Sequence, residues 1–483
     1  MAKSAKTTKA KAAKAKGKGT VNIDRMKRDL ISKGVKYCLA SYVDVHGVPK
    51  SKTVPIAHFD RMMGGSELFT GAALDGLGQQ PSDDELAAHP DPNAVCILPW
   101  RREIAWAPGN LKYHDEPWPM CSRTVLSQQI ERAAKMGFQF NLGIECEFYL
   151  VRHREDGGIE PPYPTDTLAK AAYDTLTTLE SLDYLDEITS HMNELGWDVY
   201  SLDHEDSNGQ FEIDFRYSDV LTTADRYVLW RLMAKELARK RGIDVAIMPK
   251  PYANRTGSGA HFNMSLTSLK TGENLMGSRT DKRGLGLSKY TYQFIAGILR
   301  HAPAIVATTC PLVNSYKRLI KQGSMTGFTW APIFVSYGAN NRTHMLRIPS
   351  IKPTAEDKKG DTNTSMALTR LECRVVDPAV NPYLGAAMLL AAGLEGIEND
   401  LDPGDPIEGN MYLKSDAELK KLGVGTLPRT LLEGIDEFAA DSLGKTVMGE
   451  DLFKSFIELK QAEWWEYHNT ISPWELKTYF ERF

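Results

Sequence analysis

The chain has 483 residues, long enough for two or three domains around a large core, and its 42% hydrophobic and 25% charged residues exclude a disordered or fibrous protein. Six scattered cysteines with no CxxC pair exclude a disulfide framework or a zinc knuckle and suit a reducing, cytoplasmic setting. No apolar run approaches the roughly 20 residues needed to cross a bilayer, so no membrane association is expected.

Charge is unevenly placed. Residues 1–19 hold seven lysines and no acid, so the net charge of −4 leaves about −11 for the rest. Residues 1–20 are expected to be a solvated Lys/Ala-rich tail, with no nucleic acid as partner. Folded sequence is expected from Val21. Between Val35 and Ala57 two β-rich runs flank the turn signal His46-Gly47, which predicts a small β-rich domain over residues 21–115. A larger domain is expected over residues 116–483. Helical spacing runs over Arg123–Met136, 181–197 and 224–241, the last with Thr223 as N-cap, Leu229, Met233 and Leu237 on one face and Gly242 as the stop. The region from about Pro382 onward reads as mostly helical.

The chemistry lies in four short segments that alternate polar and apolar residues. In Gly143-Ile-Glu-Cys-Glu-Phe-Tyr-Leu150, Glu145 and Glu147 share one strand face. In Gln210-Phe-Glu-Ile-Asp-Phe-Arg216 the aligned set is Gln210, Glu212, Asp214 and Arg216. His261, Asn263 and Ser265 align in the third segment, and Arg370, Glu372 and Arg374 in the fourth. Any one of these is ordinarily a half-solvated strand. Four together, carrying carboxylates, a histidine and arginines but almost no lysine, point to hard divalent cations beside an anionic substrate. Converging carboxylates need a metal to be tolerable. A Pro-bounded loop, Met248-Pro-Lys-Pro to His261, offers Gly257-Ser-Gly259 for close approach of backbone to a ligand. Lys317, Arg318, Arg342 and Arg347 add positive charge, which suits a nucleoside triphosphate beside a carboxylic acid.

Eight segments, in order, resemble the motif set of class I glutamine synthetases: Glu145-Cys-Glu-Phe; His204-Glu205 with Gly209-Gln-Phe-Glu212; Met248-Pro-Lys-Pro; Gly257-Ser-Gly-Ala-His261; Asn314-Ser-Tyr-Lys-Arg-Leu319; Asn341-Arg342; Arg347-Ile-Pro; and Arg370-Leu-Glu-Cys-Arg374. The resemblance covers roughly residues 30–483. It implies an α+β fold, with a β-grasp-like N-terminal domain and a catalytic domain whose curved antiparallel sheet is flanked by helices. It implies ATP and two or more Mg²⁺ or Mn²⁺ ions, with L-glutamate and a small amine as substrates. Glu147, Glu205 and Glu212 would hold the metal beside glutamate, and Glu145, His261 and Glu372 the metal between the ATP phosphates. Arg318 and Arg374 would clamp glutamate's carboxylates, and Gly257 would receive its α-amino group. Arg342, Arg347 and Arg370, with Asn263 and Ser265, would face ATP, and Arg342 would also stabilise the anion formed when the amine attacks. Asn263 stands where the family usually has a second histidine. The resemblance further implies a homo-oligomer of stacked rings, usually a dodecamer, with active sites between subunits.

Two departures concern the amine. Thr70 stands where the family has an ammonium-binding aspartate, with Asp75 nearby, and Trp330 stands where it has a flap glutamate. A hydroxyl and an indole in place of two acids favour an alkylamine, because an aromatic face attracts a methylated cation. Together with a likeness to the branch containing γ-glutamylmethylamide synthetases, this leads to the expectation of methylamine or a similar small amine. Ammonia is the alternative, and an inactive ring-forming scaffold a remote one. Tyr412 lies near where some relatives are adenylylated.

Overall fold

A computed structural model describes residues 21–321, 329–351 and 366–483. The tail of residues 1–20, and Gly327 and Phe328 of the flap motif, lie outside the described residues.

The turn signal at His46-Gly47 closes a hairpin between strands Tyr37–Val43 and Pro49–Pro55. Asp44 Oδ1 accepts from the backbone of His46 (3.0 Å) and Val48 (2.9 Å), and Gly47 takes φ +79°. The hairpin belongs to a seven-stranded sheet in which Tyr37–Val43 runs parallel to Arg101–Tyr113, with Leu86–Pro90 and Glu67–Phe69 beyond it. This is the β-grasp-like unit. Its tip docks on the rest of the chain: Asn381 Nδ2 donates to the Asp44 carbonyl (2.9 Å), and Arg231 Nη2 to the Gly47 carbonyl (2.6 Å).

An eleven-stranded sheet carries the four charged segments. Its central order is Val199–His204, Gln210–Phe215, Phe138–His153, Phe262–Ser268, Leu371–Cys373, His344–Ile348 and Phe334–Ala339. Neighbours in this series are antiparallel except the last two, which pair in parallel. One face of each strand is apolar and packs on helices. Ile144, Cys146, Phe148, Phe211, Ile213 and Phe215 are all buried, and this leaves the carboxylates on the other face.

Helix Val220–Arg239 begins earlier than its spacing predicts. Asp219 is the N-cap, accepting from Thr222 N (3.1 Å), whereas Thr223 lies inside the helix and donates its hydroxyl to the Leu142 carbonyl (2.7 Å). Leu229, Met233 and Leu237 are buried as expected, and Gly242 ends the run at φ +71°. The helix expected over 181–197 is Leu182–Glu194, and a separate short helix, Thr175–Glu180, precedes it. The apolar helix Pro382–Glu398 is buried almost throughout. It crosses Lys289–Arg300 so closely that a Cβ on Gly297 would come within 1.9 Å of the Ala392 carbonyl.

Candidate active site

Strand register brings the carboxylates together. Glu212 pairs with Glu147 and Asp214 with Glu145 on adjacent antiparallel strands, and Asp203 pairs with Glu212 one strand further out. On the other side, Glu372 pairs with both Asn263 and Arg347. Two triads result, Glu145–His261–Glu372 and Glu147–Glu205–Glu212, each with ligand atoms within 4.8 Å of one another. His261 Nδ1 points into the acids, 2.7 Å from Glu145, 3.5 Å from Glu147 and 3.8 Å from Glu372.

Burial raises the Glu147 carboxyl to about 7, against the pull of Arg318. Burial and the Glu147 charge raise Glu205 to about 8, and burial with Glu145 and Asp214 takes Glu212 well above the carboxylate range. Burial and Arg374 push the His261 imidazolium far down, so its ring is neutral and free to donate a lone pair. Five carboxylates and one neutral imidazole form a donor set that fits hard divalent cations. Several like charges facing across strands would otherwise be destabilising.

The arginines surround this cluster. Glu372, wholly buried, is bonded at once by Arg347 Nη1 and Arg374 Nη1. Arg374 Nη2 lies 3.4 Å from the Trp330 carbonyl, and its Nε is buried without a partner among the described residues, as is that of Arg347. Arg318 is buried and donates to the Arg374 carbonyl at 3.1 Å. It leans on the glycine loop: a Cβ on Gly257 would come within 2.7 Å of Arg318 Cγ, and one on Gly259 within 2.4 Å of His261 Nε2. The loop is held from below. Gln210, wholly buried, donates to Ser258 Oγ (3.2 Å), Tyr149 Oη to the Thr256 carbonyl (2.5 Å), and Gly259 N to Glu147 (2.7 Å).

A cavity of about 450 Å³ contains both triads together with Gly257, Arg318, Trp330, Arg342, Arg347 and Arg374. Asn263, Ser265 and Arg370 do not line it; they line a neighbouring cavity of about 550 Å³. The two cavities share Glu145 and Asp214. Asn263 links them, donating to Glu145 (2.8 Å) and accepting from Arg370 Nε (2.9 Å). The residues expected to face ATP are thus divided between two connected spaces.

Two expectations change. Lys317 is not at the site: on the short helix Val313–Arg318 it points elsewhere, its Nζ lying over the Tyr467 ring at 4.8 Å, whereas Arg318 turns inward. Gln210 supports the glycine loop instead of facing the cavity. Thr70, whose position the resemblance puts in a neighbouring subunit's site, is exposed, donates to Glu85 (3.4 Å) and does not line the cavity of its own chain. Trp330 does line it, 37% exposed and at φ +55°. Tyr173, at φ +65°, lines it as well, and Tyr200 and Tyr217 line the second cavity; none of the three was legible as a site residue.

A curved sheet with paired metal-ligand triads, a glycine loop and buried arginines defines a phosphoryl-transfer ligase site, and sequence comparison gives the same class. The family profile "Glutamine synthetase, catalytic domain" matches residues 119–479. The chain is 38% identical to a glutamate–methylamine ligase of Methyloversatilis universalis over 450 residues, 93% of this chain and 97% of that one. It is 36% identical to a glutamine synthetase of Rhizobium leguminosarum bv. phaseoli, covering 94% of this chain and 98% of the relative. A solved structure described as a GmaS/ADP complex superposes with a TM-score of 0.84 at 35% identity, covering 95% of this chain and 99% of the other. The chain belongs to the glutamine synthetase family and is an ATP-dependent carbon–nitrogen ligase acting on a γ-glutamyl group.

Proposed function

We propose that this chain uses ATP to activate the γ-carboxylate of L-glutamate and joins it to methylamine in preference to ammonia. One observation carries the choice of amine: the indole of Trp330 lines the cavity that holds both triads, with Tyr173 a second aromatic wall. Aromatic faces attract alkylammonium ions and provide an apolar surface for a methyl group. The similarity to a glutamate–methylamine ligase supports the same choice.

In this reading Arg318 and Arg374 grip the carboxylates of glutamate through their planar forks, and the Gly257 backbone receives its α-amino group. Arg342 and Arg347 face the phosphates. Tyr200 and Tyr217 offer stacking surfaces for the base in the second cavity, where Arg370, Asn263 and Ser265 supply polar contacts. The triads would hold two Mg²⁺ or Mn²⁺ ions, which neutralise charge on the transferring phosphoryl group. Transfer of the γ-phosphoryl group to glutamate forms γ-glutamyl phosphate and ADP. The amine attacks as its neutral base, phosphate leaves, and Arg342 stabilises the oxyanion that develops. Residues 21–115 and 116–483 act as two domains. The chain assembles into rings in which Thr70 reaches the cavity of a neighbouring copy.

Ammonia is the second reading, favoured by the further acids that line the cavity, Asp203, Asp206 and Asp214, because carboxylates suit a small cation. ADP release measured with glutamate and a panel of amines separates the two. Methylamine should give the highest kcat/KM; a higher value for ammonia makes the protein a glutamine synthetase.

A further inference from the structure

Trp330 sits in a backbone conformation that a bulky side chain rarely adopts, φ +55°. Such a residue persists only where its surroundings over-determine it. Three successive residues are held here. Thr329 Oγ1 donates to the Ile320 carbonyl (2.6 Å), the Trp330 carbonyl faces Arg374 Nη2 (3.4 Å), and the Ala331 carbonyl accepts from the hydroxyl of Tyr412 (2.5 Å).

The third contact comes from far along the chain, in the short turn Met411–Leu413. The Tyr412 ring meets Phe334 edge-on, with centroids 5.8 Å apart at 68°, and so the hydroxyl is aimed by packing. The same turn is fastened on its other side to the loop carrying Arg342. Asn341 Nδ2 donates to the Gly409 carbonyl (2.7 Å), and Met411 N donates to Thr343 Oγ1 (3.2 Å). Residues 409–412 therefore bridge the two segments that present Trp330 and Arg342 to the cavity.

We infer that Tyr412 is a positioning residue for amine selectivity: its hydroxyl, through the Ala331 carbonyl, holds the Trp330 indole as the wall of the amine site. The inference rests on the reading of Trp330 as that wall. Tyr412→Phe keeps the ring and its packing and removes only the hydroxyl, with its bond to the Ala331 carbonyl and its contact with Thr329. It should lower the methylamine-to-ammonia ratio of kcat/KM by about fivefold, mainly through KM for methylamine, with KM for ATP and glutamate held within about twofold. Thermal stability and assembly should match the parent. In a Trp330→Leu background, Tyr412→Phe should add nothing to the change in ratio, because the two substitutions act on one element.

The outcomes separate the inference from the reading beneath it. If Trp330→Leu lowers the ratio and Tyr412→Phe does not, the strut is wrong and the amine wall stands. Equal losses for both amines together with glutamate would make Tyr412 a general structural residue and also overturn the inference. If the parent does not prefer methylamine, or Trp330→Leu leaves the ratio unchanged, the amine reading has failed. The strut is then judged without any amine. Acrylamide quenching of the Trp330 contribution, taken as parent minus Trp330→Leu, should increase in Tyr412→Phe, and unchanged quenching overturns it.

Discussion

Glu212 stands directly across from Glu147 in the strand register, a half-buried and a buried acid facing each other on neighbouring strands. Burial raises Glu147 to about 7 and Glu205 beside them to about 8, and takes Glu212 well above the ordinary carboxyl value. Ordinary carboxyls titrate near 4. Between about pH 5 and 8 the metal-free folded protein therefore binds protons that the unfolded chain does not. Its stability should be highest at the acidic end of that window and fall as pH rises through 7 to 8. A divalent cation needs the ionised carboxylates, so its binding should release protons near pH 6.5 and fewer as pH rises above 8. Calorimetry of Mg²⁺ or Mn²⁺ binding in buffers of different ionisation enthalpy measures this. Binding without proton release at pH 6.5 would remove these acids from the ligand set.

Glu372 is expected to be the most costly ligand to lose. It completes the triad with Glu145 and His261 while bonded to Arg347 and Arg374. Glu372→Ala removes a hard oxygen ligand and leaves two arginines facing a partly buried space without their acid. Turnover should fall by at least about a thousandfold and the affinity for one metal should drop, while the assembly persists. Near-parental activity at ordinary Mg²⁺ would refute the two-metal assignment.

Arg374→Lys should weaken glutamate far more than ATP. Lysine keeps the charge but loses the planar fork and the reach that places Nη1 on Glu372 and Nη2 by the Trp330 carbonyl. KM for glutamate should rise about tenfold or more, with KM for ATP changed less than about threefold. Equal rises would place the residue with the phosphates or with the fold.

The parts of this site that could be read in sequence are those carried by strands. A period of two fixes which residues share a face, so Glu145, Glu147, Glu212, Glu372 and Arg374 were legible from alternation, and the register then brings them together. Position along a short helix was less legible: Lys317 and Arg318 are adjacent in sequence, yet only one turns inward. Tyr173 lies in an irregular segment at positive φ, where no periodicity signals its direction. The second cavity draws residues from several separate segments, and so Tyr200 and Tyr217 gain meaning only once the sheet is assembled. Thr223 was misread as a cap because Asp219, four residues earlier, caps equally well and frees the threonine to bond a strand.

The last prediction concerns the amine. With Trp330 in the cavity, the enzyme should prefer methylamine to ammonia by at least about tenfold in kcat/KM, roughly 1.4 kcal/mol of differential transition-state stabilisation. That is within reach, since one methyl in a fitted pocket is worth about 1–3 kcal/mol. Trp330→Glu replaces the apolar wall with an acid that favours the small, strongly hydrated ammonium and should move selectivity toward ammonia. Thr70→Asp is a sharper test of geometry, because Thr70 is exposed and away from the cavity of its own chain. It should add to the shift only if a neighbouring copy carries it into the site. Mixing inactive Glu372→Ala chains that carry Thr70→Asp with otherwise unaltered subunits then reports on that arrangement: mixed assemblies should show the shifted selectivity in sites whose own chain has Thr70. Amines must be compared at fixed pH by total concentration, because the neutral base attacks and the two amines differ in pKa. Ammonia used as well as methylamine by the unsubstituted enzyme would end the alkylamine reading, and Asp75, paired with His46 at 3.1 Å, would be the first acid to test in its place.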